Sequence, residues 1–414
     1  KTIFTLSAIV ALAFTGCMND EAPPILQDTD NQVNSGDNTV SVSGMISEST
    51  TWTNNTIYVL NQKVVVSSGV VLTIQAGTII KGTEGTGSLA SALIVAKGGK
   101  LNATGTATEP IIFTSINDNI TVGQTSGTNL DETNSGLWGG LIVLGNAPCS
   151  FSGDVEVLQI EGIPADDTFG LYGGSDAADD SGVYQYISIR HGGALIGEGN
   201  EINGLTLGGV GSGTVIENIE VVGNVDDGIE FFGGTVNASN LLIWAQGDDA
   251  LDIDQAYSGT INNAVVILGA NSDHAFEIDG PEGAATGSFT LNNVTIIGNS
   301  VTEDGEYADY RSGAMGSTEN IYAYGFKETS DVELDNDGVA TNYNNGLLTF
   351  GAWEIILPSG VSDVASIFVN KASAVEVSGF GSTATAVTEG VNTVGATTSL
   401  LSWTYANSKA GLGF

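Results

Sequence analysis

From residue 40 onward, short apolar runs rich in Val, Ile, Thr and Phe alternate with polar breaks of Gly, Asn and Asp. No stretch of ordinary helix length carries apolar residues at three- and four-residue intervals, so the pattern predicts short strands throughout. Such strands fit a sandwich, a barrel or a solenoid, and internal similarity decides between them. The stretches IENIEVVGNVDDGIEFFGG, SNLLIWAQGDDALDIDQA and NNAVVILGANSDHAFEIDG share one plan, and LNNVTIIGNS begins another copy. Aligned on their acidic turns, Asp226, Asp248 and Asp273 form one column at spacings of 22 and 25. Asn218, Asn240, Asn263 and Asn293 form a second, at spacings of 22, 23 and 30. A unit of two strands around a polar turn cannot bury its apolar face alone, whereas stacked copies share one continuous core. The repeat length fits an all-β, right-handed parallel β-helix. Ile229 and Phe231 then point inward and Glu230 outward, an alternation repeated around Asp252 and Glu277.

Towards the N-terminus, YVLNQKVVVSSGVVLTIQAGTIIKG, ALIVAKGGKLNATGTATEPIIFTS and GLWGGLIVLGNAP continue the strand-and-turn rhythm. Together these segments resemble β-helical, pectin-lyase-like surface lipoproteins of Bacteroidota. The β-helix is expected over residues 40–300. Residues 116–136 and 163–184 break the rhythm and read as loops projecting from the coils, where solenoids commonly carry binding surfaces. Over residues 301–414 further coils with long acidic loops are expected, EDGEYADYRSG and DVELDNDG among the loops. Strand pairs return around residues 347–357 and 364–377. The tail LLSWTYANSKAGLGF offers aromatic residues to cap the last coil, whose open edge needs cover.

The chain opens differently. Lys1 precedes an apolar run, Ile3 to Phe14, too short to span a membrane and of the length of a signal-peptide core. The run ends in AFTGC, which resembles the lipobox of bacterial lipoproteins; that resemblance implies cleavage of residues 1–16 and lipidation of Cys17. Residues 17–39 then form a flexible tether. Asp20 and Glu21 resemble the acidic surface-export signal of Bacteroidota lipoproteins, which implies an outer-membrane protein facing the cell exterior. Membrane attachment would rest on the lipid at Cys17. The other cysteine is Cys149, so lipidation leaves no internal disulfide, and Cys149 reads as a buried small hydrophobe.

Charge narrows the partners. With 48 acidic and 10 basic side chains the formal net charge is −38, which repels nucleic-acid phosphates. Much of the excess falls in the repeat. In a parallel stack, Glu230, Asp252 and Glu277 lie about 4.8 Å apart, too close for all to ionise without a screening cation or ordered water. Three readings follow. In the first, the acidic columns are a solvated turn ladder bonding backbone amides. In the second, Glu230, Asp252 and Glu277 bind calcium, which favours oxygen-only, carboxylate-rich sites. The third is catalysis: NVDDGIEF, QGDDALDI and NSDHAFEID resemble the order of active-site motifs in polygalacturonase-like glycoside hydrolases. That resemblance implies Asp226, Asp227, Asp248, Asp249 and His274 as catalytic residues, one acid protonating the leaving oxygen and one carboxylate activating water. Arg311 would approximate the family's substrate-binding basic residue, although its Arg-x-Lys motif is absent, since Ser312 and Gly313 follow.

Arg190 and His191 read as a structural hydrogen-bonding pair, and Trp138, Trp244 and Tyr257 as sugar-stacking or packing residues. The leading expectation is a surface-exposed β-helical scaffold for binding or adhesion, with a glycan or an outer-membrane protein as partner and calcium as cofactor. The alternatives are a polysaccharide hydrolase and an accessory subunit of an outer-membrane complex.

Overall fold

The computed structural model describes residues 38–164, 167–196, 201–302 and 305–414; the lipobox, Cys17 and the expected tether up to residue 37 lie outside them, whereas its last two residues, Asn38 and Thr39, already belong to the strand Asn38–Ile46. Among the described residues twenty-five strands join into one continuous ladder. The pairings within it are parallel, so the chain winds as a right-handed parallel β-helix. Three sheets run along its length. Sheet 1 stacks the short strands Leu141–Leu144, Leu205–Gly208, Ile229–Phe232, Leu251–Asp254, Phe276–Ile278, Ala308–Tyr310, Val332–Leu334 and Phe368–Asn370. The longer strands Val215–Val222, Asn237–Trp244, Thr260–Ile267, Phe289–Ile297 and Gly316–Tyr324 each bend, giving their first half to sheet 2 and their second half to sheet 3.

The bend explains the asparagine column. Asn218, Asn240, Asn263 and Asn293 sit at the corner between sheets 2 and 3 with φ of 57°, 57°, 64° and 59°. This is the left-handed region, which asparagine tolerates better than other side chains bearing a Cβ. Asn263 Nδ2 donates to Asn240 Oδ1 at 2.8 Å, so the column also bonds along the stack. Asn320, with φ 57°, extends it by one coil. Inside, like stacks on like: Ile219, Leu241, Ala264, Val294 and Ile321 follow in register and are essentially inaccessible.

Several expected loops are structured. Residues 116–136 lie flat on the outer face of sheet 3 rather than projecting. Ile120 is buried there against Ile57, Ile79 and Ile112, and Lys81 Nζ donates to the carbonyls of Asp118 and Ile120 at 2.7 and 2.9 Å. The second expected loop is divided: Ile163 and Tyr172 pack with Phe151 and Ile160 on Ile142, Leu144 and Phe232 of sheet 1, and Gly182 already begins a strand. The acidic segments EDGEYADYRSG and DVELDNDG contain the strands Ala308–Tyr310 and Val332–Leu334, because an apolar–acidic–apolar triplet is enough to place one side chain out and two in. Among the described residues two short α-helices punctuate the C-terminal part, α1 (Asp337–Asn344), capped by Asn336, and α2 (Tyr405–Ala410).

The tail does not cap the last coil either. It runs back along the outer face of sheet 3, where Leu401, Tyr405 and Ala406 cover Val222, Leu242, Trp244, Val265 and Ile267. That apolar outer face needs cover more than the coil end does. Arg190 stacks over the Tyr405 ring at 4.3 Å, and its Nη1 donates to Thr125 O. His191 Nδ1 meets Asn134 O at 2.8 Å, so this pair ties loops to coils. Trp138 and Tyr257 are 1% exposed and Trp244 8%, which leaves none of the three as an open sugar platform. Cys149 is half-buried, and burial pushes its thiol up to about 12, away from nucleophilic use. Among the described residues no helix is long and apolar enough to cross a membrane.

Candidate functional site: an acidic ladder on sheet 1

One column of outward side chains runs the length of sheet 1. In register it reads Met45, Val65, Ile94, Ile142, Thr206, Glu230, Asp252, Glu277, Asp309, Glu333 and Val369. The chemistry of the column switches midway. Val65, Ile94 and Ile142 lie beneath the apolar segment containing Phe151, Ile160 and Tyr172. Past Thr206 that cover gives way to five successive acids. Glu230, Asp252 and Glu277 therefore stack as the repeat predicts, and Asp309 and Glu333 continue them. The signal for the last two is present in the sequence as ADY and VEL, triplets with the alternation of IEF, LDI and FEI.

The five carboxylates are not equivalent. Asn203 Nδ2 donates to Glu230, Arg311 pairs with Glu277, and Lys371 pairs with Glu333. Arg311 also reaches Asp279 Oδ2 at 2.7 Å, and Lys371 lies 3.7 Å from Asp331. Between these paired glutamates, Asp252 and Asp309 each hold a buried Oδ1 without a hydrogen-bond partner. Burial first, and neighbouring carboxylates second, push Glu230 and Asp252 well above the usual carboxylate range. Burial likewise raises Asp309 to about 6 and, against the pull of Arg311, Glu277 to about 8.

The turn before each strand adds a second column. Asp227 Oδ1 accepts Asp249 N at 3.0 Å, and Asp249 Oδ1 accepts His274 N at 2.9 Å. These two carboxylates thus bond the backbone of the next coil, as a turn ladder does. His274 Nδ1 also meets Asp249 Oδ1 at 2.9 Å. Burial opposes its charge, but the Asp249 hydrogen bond and the Asp249, Asp273 and Asp309 charges outweigh it and lift His274 to about 9. Asp226 rises to about 7 through burial and the Glu161 and Asp248 charges, and Asp248 to about 6 through burial and Asp249.

Every site residue expected from the sequence, Cys17 aside, therefore gathers at one edge and face of the helix. Among the described residues four groups place ligand atoms within 4.8 Å of one another: Asp226, Asp227 and Asp248; Asp227, Glu230 and Asp252; Asp249, His274 and Glu277; and Glu306, Asp331 and Glu333. Glu306, Asp331 and Lys371 had no place in the sequence-based set, since they join it only through the register of later coils. The first, second and fourth groups are oxygen-only, the donor chemistry of a hard cation. The orphaned Asp252 oxygen makes the second group a fit for one. An inverting hydrolase instead separates its two carboxyls by about 6.5–9.5 Å to admit water; the oxygens within each group are closer than that, so such a pair would have to draw on two different groups.

The chain belongs to the pectate-lyase-like β-helix family, whose model matches residues 44–407. Its scaffold is accordingly of a carbohydrate-related type. No curated protein and no solved structure matches the chain.

Proposed function

We propose that this protein is a carbohydrate-binding β-helix, displayed on the cell surface by a lipid at Cys17, whose acidic ladder binds calcium. The carrying observation is the run of five in-register acids in which Asp252 and Asp309 keep unpartnered, buried oxygens between paired glutamates. A divalent cation at Asp227, Glu230 and Asp252 would satisfy Asp252 and relieve the carboxylate repulsion that, after burial, raises all three groups. Three protein carboxylates leave coordination positions for water or sugar oxygens, since calcium takes about six to eight oxygen ligands. A bound cation would also let an acidic glycan approach a chain of charge −38. Glycan-array binding with calcium and with chelator tests this reading: binding that needs calcium supports it, and binding indifferent to both calcium and Asp252→Asn contradicts it. Protease shaving of intact cells tests display; complete protection until the outer membrane is ruptured would contradict it.

A second reading is polysaccharide hydrolysis, favoured by the Asp249–His274 contact with Arg311 on the following coil. One carboxylic acid would protonate the glycosidic oxygen as a second carboxylate removes a proton from the attacking water. Asp249→Asn retains an oxygen able to accept His274 N, so the turn survives. Reducing ends released by the wild type and lost in Asp249→Asn would establish this activity.

A further inference from the structure

Two residues beyond the acidic ladder, a second outward column reads Phe232, Asp254, Asp279, Arg311, Asp335 and Lys371, one residue per coil. Its cations each reach back to a glutamate of an earlier coil, Arg311 to Glu277 and Lys371 to Glu333. They are held differently. Arg311 grips Asp279 through Nε and Nη2 as well as Glu277, and such a planar fork has little freedom to leave. Lys371 pairs with Glu333 through a single ammonium, lies 3.7 Å from Asp331 and has a side chain 44% exposed. Its backbone is fixed independently, Lys371 N donating to Leu334 O at 2.9 Å, so the ammonium can move while the coil stays.

The ammonium sits on an oxygen-only group. Glu306, Asp331 and Glu333 place carboxylate oxygens within 4.8 Å of one another. Around them the plan of Asp227, Glu230 and Asp252 recurs three coils further on: a turn acid (Glu306), a ladder acid three residues later (Asp309) and the ladder acid of the next coil (Glu333). Asp309 is 7% exposed and its Oδ1 has no hydrogen-bond partner; Asp331 Oδ1 is also buried without one. Burial, and then contact with the Asp331 carboxyl, pushes Glu306 up to about 7. One ammonium thus serves three clustered carboxylates and leaves buried oxygens unmet, whereas a hard divalent ion with about six to eight oxygen ligands would engage all three.

We propose that Glu306, Asp331 and Glu333 form a second divalent-cation site, in which the Lys371 ammonium is a tethered placeholder that the ion displaces. The site lies about 14 Å along the stack from the first, three coil spacings of about 4.8 Å. It rests on the cation reading of the ladder for the class of ion, but not on occupancy of Asp227, Glu230 and Asp252. A competing ammonium lowers apparent affinity in proportion to the fraction of time it occupies the group. The second site therefore fills at higher calcium concentration than the first, and the ladder responds in two steps.

Calorimetric titration of calcium into the full chain at constant ionic strength tests the proposal. Lys371→Met removes the ammonium at similar length, Lys371→Gln keeps an N–H donor for Glu333, and Lys371→Arg keeps a cation. The expected result is a second binding event at least tenfold tighter in Lys371→Met and Lys371→Gln than in wild type, not tightened in Lys371→Arg, and lost when Glu333→Gln is added to Lys371→Met. In chelator, Lys371→Met should melt below wild type, and saturating calcium should close that gap. A second event of equal affinity in wild type, Lys371→Met and Lys371→Gln would overturn the proposal, as would its absence from all three. Adding Asp252→Asn to Lys371→Met separates the two sites: the first event goes and the second stays. Failure of the first site alone would show as one event that Lys371→Met tightens and Asp252→Asn leaves untouched.

Discussion

Asp252 and Asp309 differ from their neighbours in one respect that governs their chemistry. Glu230, Glu277 and Glu333 each reach a donor or a cation, whereas the shorter aspartates between them do not. Removing one repelled carboxylate should therefore stabilise the calcium-free protein: Asp252→Asn is expected to raise Tm by about 1–3 °C without calcium. The same substitution should abolish most of the calcium-induced rise. The raised groups also set a pH dependence. Glu277 and Asp226, at about 8 and 7, hold protons in the folded chain that the unfolded chain has released above pH about 4. Stability of the calcium-free protein should thus be greatest near pH 4–5 and fall as pH rises to 8. His274, raised to about 9, acts in the same direction at the upper end of that range. A series of melting curves from pH 4 to 9 checks this, and stability rising across the interval would contradict it. Glu230, Asp252 and Glu277 were legible as a column because their flanking residues alternate in and out. Their inequality was not, because Asn203 reaches Glu230 and Arg311 reaches Glu277 from other coils, while among the described residues nothing reaches Asp252.

Individual coils are held by corners as much as by strands. The asparagines at 218, 240, 263, 293 and 320 occupy left-handed backbone at the same bend. Replacing Asn240 by alanine loses its bond from Asn263 and places a Cβ-bearing residue with no compensating amide at φ 57°. The expected cost is about 1–3 kcal/mol, with Asn240→Gly costing less, both read from denaturant midpoints. An equal loss in the two variants would assign the effect to the side-chain bond rather than to the backbone. The asparagine column was readable from spacing alone, and so was the strand alternation through Ile278. The coils beyond residue 300 were harder to read because acidic triplets such as ADY and VEL resemble loop composition, yet need one outward position only. α1 escaped notice for a related reason: DGVATNYN has little apolar periodicity, and its start depends on the Asn336 cap.

For the whole molecule, the outer surface is divided into covered and open stretches. Residues 116–136 and the returning tail cover sheet 3, and the segment around Phe151 and Tyr172 covers the apolar half of sheet 1. Sequence periodicity identifies the core of a solenoid but not which outer faces are roofed, because roofing contacts follow no repeat and can join residues 186 positions apart, as Ala406 N to Glu220 Oε1 shows. Deleting residues 393–414 should expose Val222, Leu242, Trp244, Val265 and Ile267 and drive self-association, seen as an increased mass by light scattering. A truncated chain that stays monomeric would show that the tail is dispensable cover. Among the described residues the acidic half of sheet 1 carries no comparable apolar roof, and the proposed cation role belongs to that half. Calcium at about 100 times its Kd should add about 2.7 kcal/mol of stability. The most direct test is calorimetric titration of calcium into wild-type protein and Asp252→Asn: saturable binding in the first and at least tenfold weaker binding in the second is the predicted result, while no binding to either, with melting curves identical in calcium and chelator, would contradict the ladder as a cation site.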